Sequence, residues 1–185
     1  MCTLSDAFAP VFYFDFMGVF MNFSDNGINI LKQCEGCVKQ NGRHVIYDDK
    51  TGKPVNTNEP LPNGATIGYG HLIKSGENFT KGISEAKATE LLRADIATAE
   101  RVVDTNICVS LSQNQYDALV MLAFNIGAKN FATSTVAKYI NNPNFHSTQY
   151  PTLQSAWFAW NKSGGHEKVG LNRRREIEWK LFCAI

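Results

Sequence analysis

The chain has 185 residues, 44% hydrophobic and 19% charged, with a formal net charge of +1. That length holds one domain with a real core, the composition is ordinary for a soluble globular protein, and the balanced charge gives no case for a nucleic-acid partner. Five cysteines at positions 2, 34, 37, 108 and 183 lack the spacing of a disulfide framework, so they read as mostly reduced, small buried residues.

Residues 7 to 23 form the most apolar window. Asp15, Pro10 and Gly18 interrupt it, and its length is at the low end for crossing a bilayer. It also lacks the basic segment and cleavage site of a secretory signal. The readings are an extension packed on the domain, a weak signal-anchor, or an upstream start before Met21. The packed or incidental extension is preferred, giving an N-terminal extension over residues 1 to 23 and one domain over 24 to 185.

Ser24 or Asp25 can cap a helix running to about residue 35, with Ile28 and Leu31 on its apolar face and Gly36 as its stop. Glu35 therefore stands at a helix C-terminus among apolar neighbours. The dipole there opposes negative charge, a setting suited to a carboxyl that must hold its proton. Cys34 and Cys37 form a C-x-x-C with no second metal-binding pair, so packing is preferred to a metal or redox role.

The next segment carries β and turn signals. Residues 43 to 47 are β-branched and aromatic, and residues 48 to 52 read as a turn. Residues 54 to 64 are a Pro/Asn/Gly-rich loop, and residues 65 to 71 a glycine-spaced strand. Of Asp48 and Asp49, one can shape the turn while the other faces Glu35; spacing alone leaves the choice open. Two such carboxyls opposite each other are a common way to build a glycosidic cleft.

From Ser84 onward the pattern is helical. Helices are expected from residue 84 to about 105, from 112 to about 126, and over 133–141, 152–160 and 171–182, with Ser163-Gly164-Gly165 as a loop. The apolar run from residue 118 to 124 predicts a central helix buried on most sides. The fold class is α+β, mainly helical. A small helix-and-hairpin lobe precedes a larger helical lobe, with a cleft between them as the default site.

Glu35-Gly36, then Tyr47-Asp48-Asp49-Lys50-Thr51-Gly52-Lys53-Pro54, then Thr66-Ile67-Gly68-Tyr69-Gly70-His71 stand in this order. Two later blocks follow, Ser112 through Leu119 with Phe124-Asn125-Ile126-Gly127, and Gly170-Leu171-Asn172-Arg173-Arg174 with Glu178. Together they resemble the phage-type lysozymes of glycoside hydrolase family 24, endolysins that cut peptidoglycan, over residues 24 to 182. The resemblance implies a lysozyme-like two-lobe fold. It also implies Glu35 as general acid, with Asp49 and Thr66 positioning water for inversion at the anomeric carbon. Asp49 is preferred to Asp48 because it keeps the family offsets to Tyr47, Gly52 and Pro54. Asn125 and Tyr69 are candidate substrate-binding residues, with hairpin packing preferred for Tyr69; His71 reads as structural. The spacings from Glu35 to Asp49 and from Asp49 to Thr66 are stretched by loop-like insertions at 40–42 and 55–65.

The implied protein is a monomeric enzyme acting on bacterial peptidoglycan without metal, cofactor or nucleic acid. It would be made in the host cytoplasm and act in the periplasm after holin-dependent release or signal-anchor export. The residues near the C-terminus, Arg173, Arg174, Arg175 and Lys180 beside Trp179, Leu181 and Phe182, suit either a docking helix or transient membrane contact. The competing functions are a lytic transglycosylase and a non-catalytic peptidoglycan-binding module on the same fold.

Overall fold

The computed structural model describes residues 21 to 184, so the readings of residues 1 to 20 lie outside the described residues. The first helix, α1 (Asp25–Glu35), begins where Ser24 Oγ accepts from the Gly27 amide at 3.0 Å. The Asp117 carboxylate holds the Ser24 amide at 3.0 Å and also accepts from its hydroxyl, so the cap is fastened to a distant helix. Gly27 is required by close approach. A Cβ there would lie 2.8 Å from the Phe23 ring and 2.9 Å from Asp117 Cγ. Phe23 is a core residue, its amide donates to Glu100 at 2.7 Å, and Met21 packs against the core. Residues 21 to 23 thus pack on the folded body.

The β segment is more broken than the sequence suggests. Strands β1 (Lys39–Gln40) and β2 (Arg43–His44) form their own hairpin over Asn41-Gly42, both at positive φ. Asn-Gly is the residue pair that such a two-residue turn demands. A separate antiparallel sheet has the order β4-β3-β5-β6, with β3 (Tyr47–Asp48), β4 (Lys53–Pro54), β5 (Ala65–Ile67) and β6 (His71–Leu72). The expected single strands over 43–47 and 65–71 are each split. In the second case Gly68 (φ 66) and Gly70 (φ 88) turn the chain back on itself.

The large lobe is built from α2 (Glu85–Asn106), α3 (Gln113–Ile126), α4 (Ala128–Ala132), α5 (Thr135–Asn141), α6 (Leu153–Phe158) and α7 (Val169–Cys183). Ser84 caps α2, and Ser112 with Gln115 forms a capping box at α3. From Tyr116 to Ala123 every residue of α3 is buried, and α3 packs chiefly on α7 and α2. Each large aliphatic side chain so buried contributes about 1.5–3 kcal/mol. Helix α4 was not expected. The glycine loop at 163–165 is the turn of a hairpin between β7 (Lys162–Ser163) and β8 (His166–Glu167). No described helix is long and apolar enough to cross a membrane.

The crowding at Gly27 yields a signed expectation. Glycine to alanine inside a helix normally stabilises by about 1 kcal/mol. Gly27→Ala should instead destabilise by roughly 1–3 kcal/mol through overpacking, measured by urea unfolding. A midpoint equal to or above wild type would show that Phe23 moves aside without cost.

Candidate active site

Glu35 is the last residue of α1, and its side chain is 21% exposed. Its neighbours are not only apolar, as expected. Arg174 Nη1 donates to Glu35 Oε1 at 2.6 Å from α7, which the sequence reading missed. The other oxygen faces the β5–β6 turn, where a Cβ on Gly70 would lie 4.0 Å from Glu35 Oε2. The carboxyl therefore sits between the two lobes. Cys34 and Cys37 beside it are both free thiols, and burial pushes the Cys34 thiol up. Among the described residues no group of three potential metal ligands is present.

The two aspartates separate by their hydrogen bonds. Asp48 Oδ1 accepts from the Lys50 and Thr51 amides at 2.8 and 3.1 Å, so its carboxylate closes the turn. Asp49 is exposed at the tip of that turn. Thr66 is buried on β5, directly across from Tyr47, and its hydroxyl donates to the Tyr47 carbonyl over a long 3.4 Å. One strand spacing and two residues of rise put the Asp49 and Thr66 Cα atoms on the order of 8 Å apart. The sixteen intervening residues are thus folded away into a loop.

Behind Glu35 lies a buried charge network. Glu178 is fully buried, and its Oε1 accepts from Arg174 Nε at 3.0 Å and Arg175 Nη2 at 2.8 Å. Its Oε2 accepts from Trp157 Nε1 at 3.0 Å. Burial pushes the Glu178 carboxyl up, against the pull of the two guanidinium groups. For Arg174 burial works the other way, but the charges of Glu35 and Glu178 hold it above the usual arginine value. Arg175 Nη2 also donates to Asn125 Oδ1 at 2.8 Å. That fixes the amide flip of the exposed Asn125, leaving its N–H₂ group free to donate outward.

Asn125 opens onto a cleft of about 490 Å³ shared with Asn130, Trp160, Lys162, Ser163 and Lys168. Tyr69 lies elsewhere. It is buried, its hydroxyl donates to Glu85 Oε1 at 2.6 Å, Lys32 Nζ sits 5.3 Å from its ring centre and His44 packs edge-on at 5.1 Å. The ring is thus enclosed by its own protein neighbours, which favours packing over sugar stacking for Tyr69. His71 bridges Asp95 (2.8 Å) and Glu77 (3.1 Å) and is buried, a structural arrangement. Arg174 and Arg175 are likewise internal, so two of the four cations invoked for membrane contact do not face solvent.

A small lobe with a carboxyl-bearing hairpin, set against a helical lobe that holds Glu35 by an arginine, defines a lysozyme-like two-lobed fold. The family model described as phage lysozyme matches residues 32–178. The endolysin of Salmonella phage P22 is 37% identical over 167 residues, covering 89% of this chain and 99% of that protein. The endolysin of Bacillus phage B103 is 38% identical over 162 residues, 88% of this chain, but the match spans only about half (54%) of that longer relative. Among solved structures, the muramidase domain of SpmX from Asticaccaulis excentricus superposes with a TM-score of 0.67 at 26% identity, over 89% of this chain and 99% of that one. The chain belongs to the phage lysozyme family, whose members are peptidoglycan-hydrolysing glycoside hydrolases.

Two expectations follow from these charges. Glu178→Gln would leave the buried Arg175 guanidinium without a counter-charge and Arg174 with Glu35 alone, and should cost about 3–5 kcal/mol, seen as a large drop in denaturation midpoint; an unchanged midpoint would mean that water reaches the pair. Glu85 is the second case. The Tyr69 hydroxyl, then His44, Lys32 and Lys39, hold its carboxyl well below the usual value of 4.5, with burial opposing them. A folded-state value below the unfolded one stabilises above pH 4.5, and that contribution is lost as the pH falls through the depressed value. The stability gap between wild type and Glu85→Gln should therefore be full at pH 6 and shrink in acid. A gap constant from pH 6 down to pH 2 would contradict it.

Proposed function

We propose that this chain is a muramidase that cleaves the β-1,4 bond between N-acetylmuramic acid and N-acetylglucosamine in bacterial peptidoglycan. Glu35 protonates the leaving glycosidic oxygen. Asp49 and Thr66 place a water on the opposite face of the sugar, and the product forms with inversion. This geometry needs carboxyls separated by roughly 6.5–9.5 Å, enough for that water.

The observation that carries the reading is the division of labour at the turn. Asp48 spends its carboxylate on the Lys50 and Thr51 amides, while Asp49 stands free beside the strand that carries Thr66. Thr66 donates to the Tyr47 carbonyl and keeps acceptor lone pairs with which to orient a water. Arg174 fixes one Glu35 oxygen, which leaves Oε2 toward the β5–β6 turn for the glycosidic oxygen. Asn125 presents its amide N–H₂ group to the polymer. The enzyme acts as a monomer without metal or cofactor, on periplasmic peptidoglycan after synthesis in the host cytoplasm.

Glu35→Gln and Asp49→Asn should each lower the rate of clearing of permeabilised Gram-negative cells by roughly 10²–10⁴-fold, the usual worth of a positioned acid or base. Equal lysis by wild type and Glu35→Gln would remove Glu35 as the acid. Product ends decide the mechanism. New reducing ends fit hydrolysis, whereas 1,6-anhydromuramic ends would assign the chain to the lytic transglycosylases.

A further inference from the structure

Between the β3–β4 turn and the loop over residues 55 to 64 runs an open groove of about 360 Å³, with Asp48, Lys53, Val55, Glu59, Pro60 and Pro62 among its walls. It lies away from the reacting groups. Asp48 is opposite Lys53 and Ala65 in register, whereas Tyr47 is opposite Pro54 and Thr66. Directly opposed residues share a face of a sheet and successive residues alternate. Asp48 and Lys53 therefore stand on the face turned away from Thr66. The loop wall is held in shape: the Glu59 amide donates to the Asn56 carbonyl at 3.4 Å, Asn56 Nδ2 donates to Glu59 Oε1 at 2.9 Å, and Pro60 and Pro62 restrict the backbone beyond.

The groove carries charge of both signs that the fold leaves unused. Asp48 Oδ1 and Glu59 Oε1 are engaged, but Asp48 Oδ2 and Glu59 Oε2 accept no hydrogen bond among the described residues. Nor does Asp48, Lys53 or Glu59 have an ion-pair partner within 4.0 Å among them. A bare cation in the groove would be repelled by Lys53, a bare anion would meet two carboxylates, and an uncharged sugar would use neither. A group with an ammonium and a carboxylate on one carbon complements all three side chains. We infer that the groove docks the free α-amino acid end of a wall peptide on a strand neighbouring the one being cut. Its ammonium lies between Glu59 and Asp48, and its carboxylate on Lys53. This rests on the reading of the chain as a peptidoglycan hydrolase, because peptides are what join the glycan strands of that polymer. The prearranged loop lowers the ordering cost of such a contact. Glu59 and Lys53 touch no reacting atom; they hold the enzyme to the network from outside the catalytic cleft.

The test titrates three related probes into the full chain and follows the loop amides by NMR. Diaminopimelate carries an ammonium and a carboxylate at each end, pimelate carries carboxylates alone, and cadaverine carries ammonium groups alone. Diaminopimelate should bind with a Kd on the order of 1 mM, shifting residues 53 to 62 and leaving Thr66 and Asn125 unmoved. Lys53→Gln and Glu59→Gln should each weaken it about three- to fivefold, and added salt should weaken it further. Both residues are exposed, and circular dichroism checks that the variants are folded. Equal affinity for cadaverine would reduce the groove to a cluster of acids, equal affinity for pimelate would make it an anion site, and unmoved loop amides would remove the site; each result overturns the proposal. On the wall itself, Glu35→Gln should sediment with intact sacculi more than with glycan stripped of its peptides by an amidase. Adding Glu59→Gln should narrow that difference, and an unchanged difference would count against docking of wall peptides. Failure of the hydrolase reading would look different, since wild type would then release no reducing ends from sacculi whichever probe it binds.

Discussion

Glu178 is the charge on which the rest of the large lobe depends. It has no solvent exposure, and both of its oxygens are occupied by N–H donors from Trp157, Arg174 and Arg175. A buried carboxylate of this kind is tolerable only while all its partners are in place. Each arginine also has further engagements. Arg174 reaches the Met121 carbonyl and Glu35, and Arg175 reaches the Trp160 carbonyl and Asn125. Helices α3, α6 and α7 are therefore set in register by polar contacts, and the same contacts aim two side chains at the cleft. Packing alone would hold the helices together without fixing those aims.

The small lobe has a counterpart on the surface. Glu85, at the start of α2, receives Lys32 from α1, Lys39 from β1, His44 from β2 and the Tyr69 hydroxyl from the β5–β6 turn. One carboxylate thus gathers four pieces of chain that are each too short to be stable alone. It is about half exposed, and screening by water makes it weaker per contact than Glu178. The molecule has a firm lobe behind Glu35 and a more yielding one around Asp49 and Thr66.

What the sequence made legible follows the range of the interaction. Ser24, Ser84 and Ser112 cap their helices as expected, because a cap is decided within four residues. The burial of α3 was legible in its unbroken apolar run. Asn41-Gly42 carried a clear hairpin signal that was read as an insertion, and Gly68 and Gly70 were read as kinks in one strand where they reverse the chain. The choice between Asp48 and Asp49 stayed open on spacing, since only the folded turn reveals which carboxylate its amides consume. Arg174 was least legible. It lies 139 residues from Glu35, in a run of three arginines that looks like a solvated face until the partner is known.

Tyr47 is paired on both sides, with Pro54 on β4 and with Thr66 on β5. The loop over residues 55 to 64 leaves the sheet beside one of these partners and returns beside the other. At its two ends the Val55 amide donates to the Ile46 carbonyl and the Ala65 amide to the Pro62 carbonyl. Its length is consequently decoupled from the positions of Asp49 and Thr66, and doubling it would cost only about 0.6 kcal/mol in closure entropy. The stretch that departs most from the compact family spacing is, in engineering terms, a graft site: a segment that grips a different wall could be installed there and Asp49 and Thr66 would stay where they are.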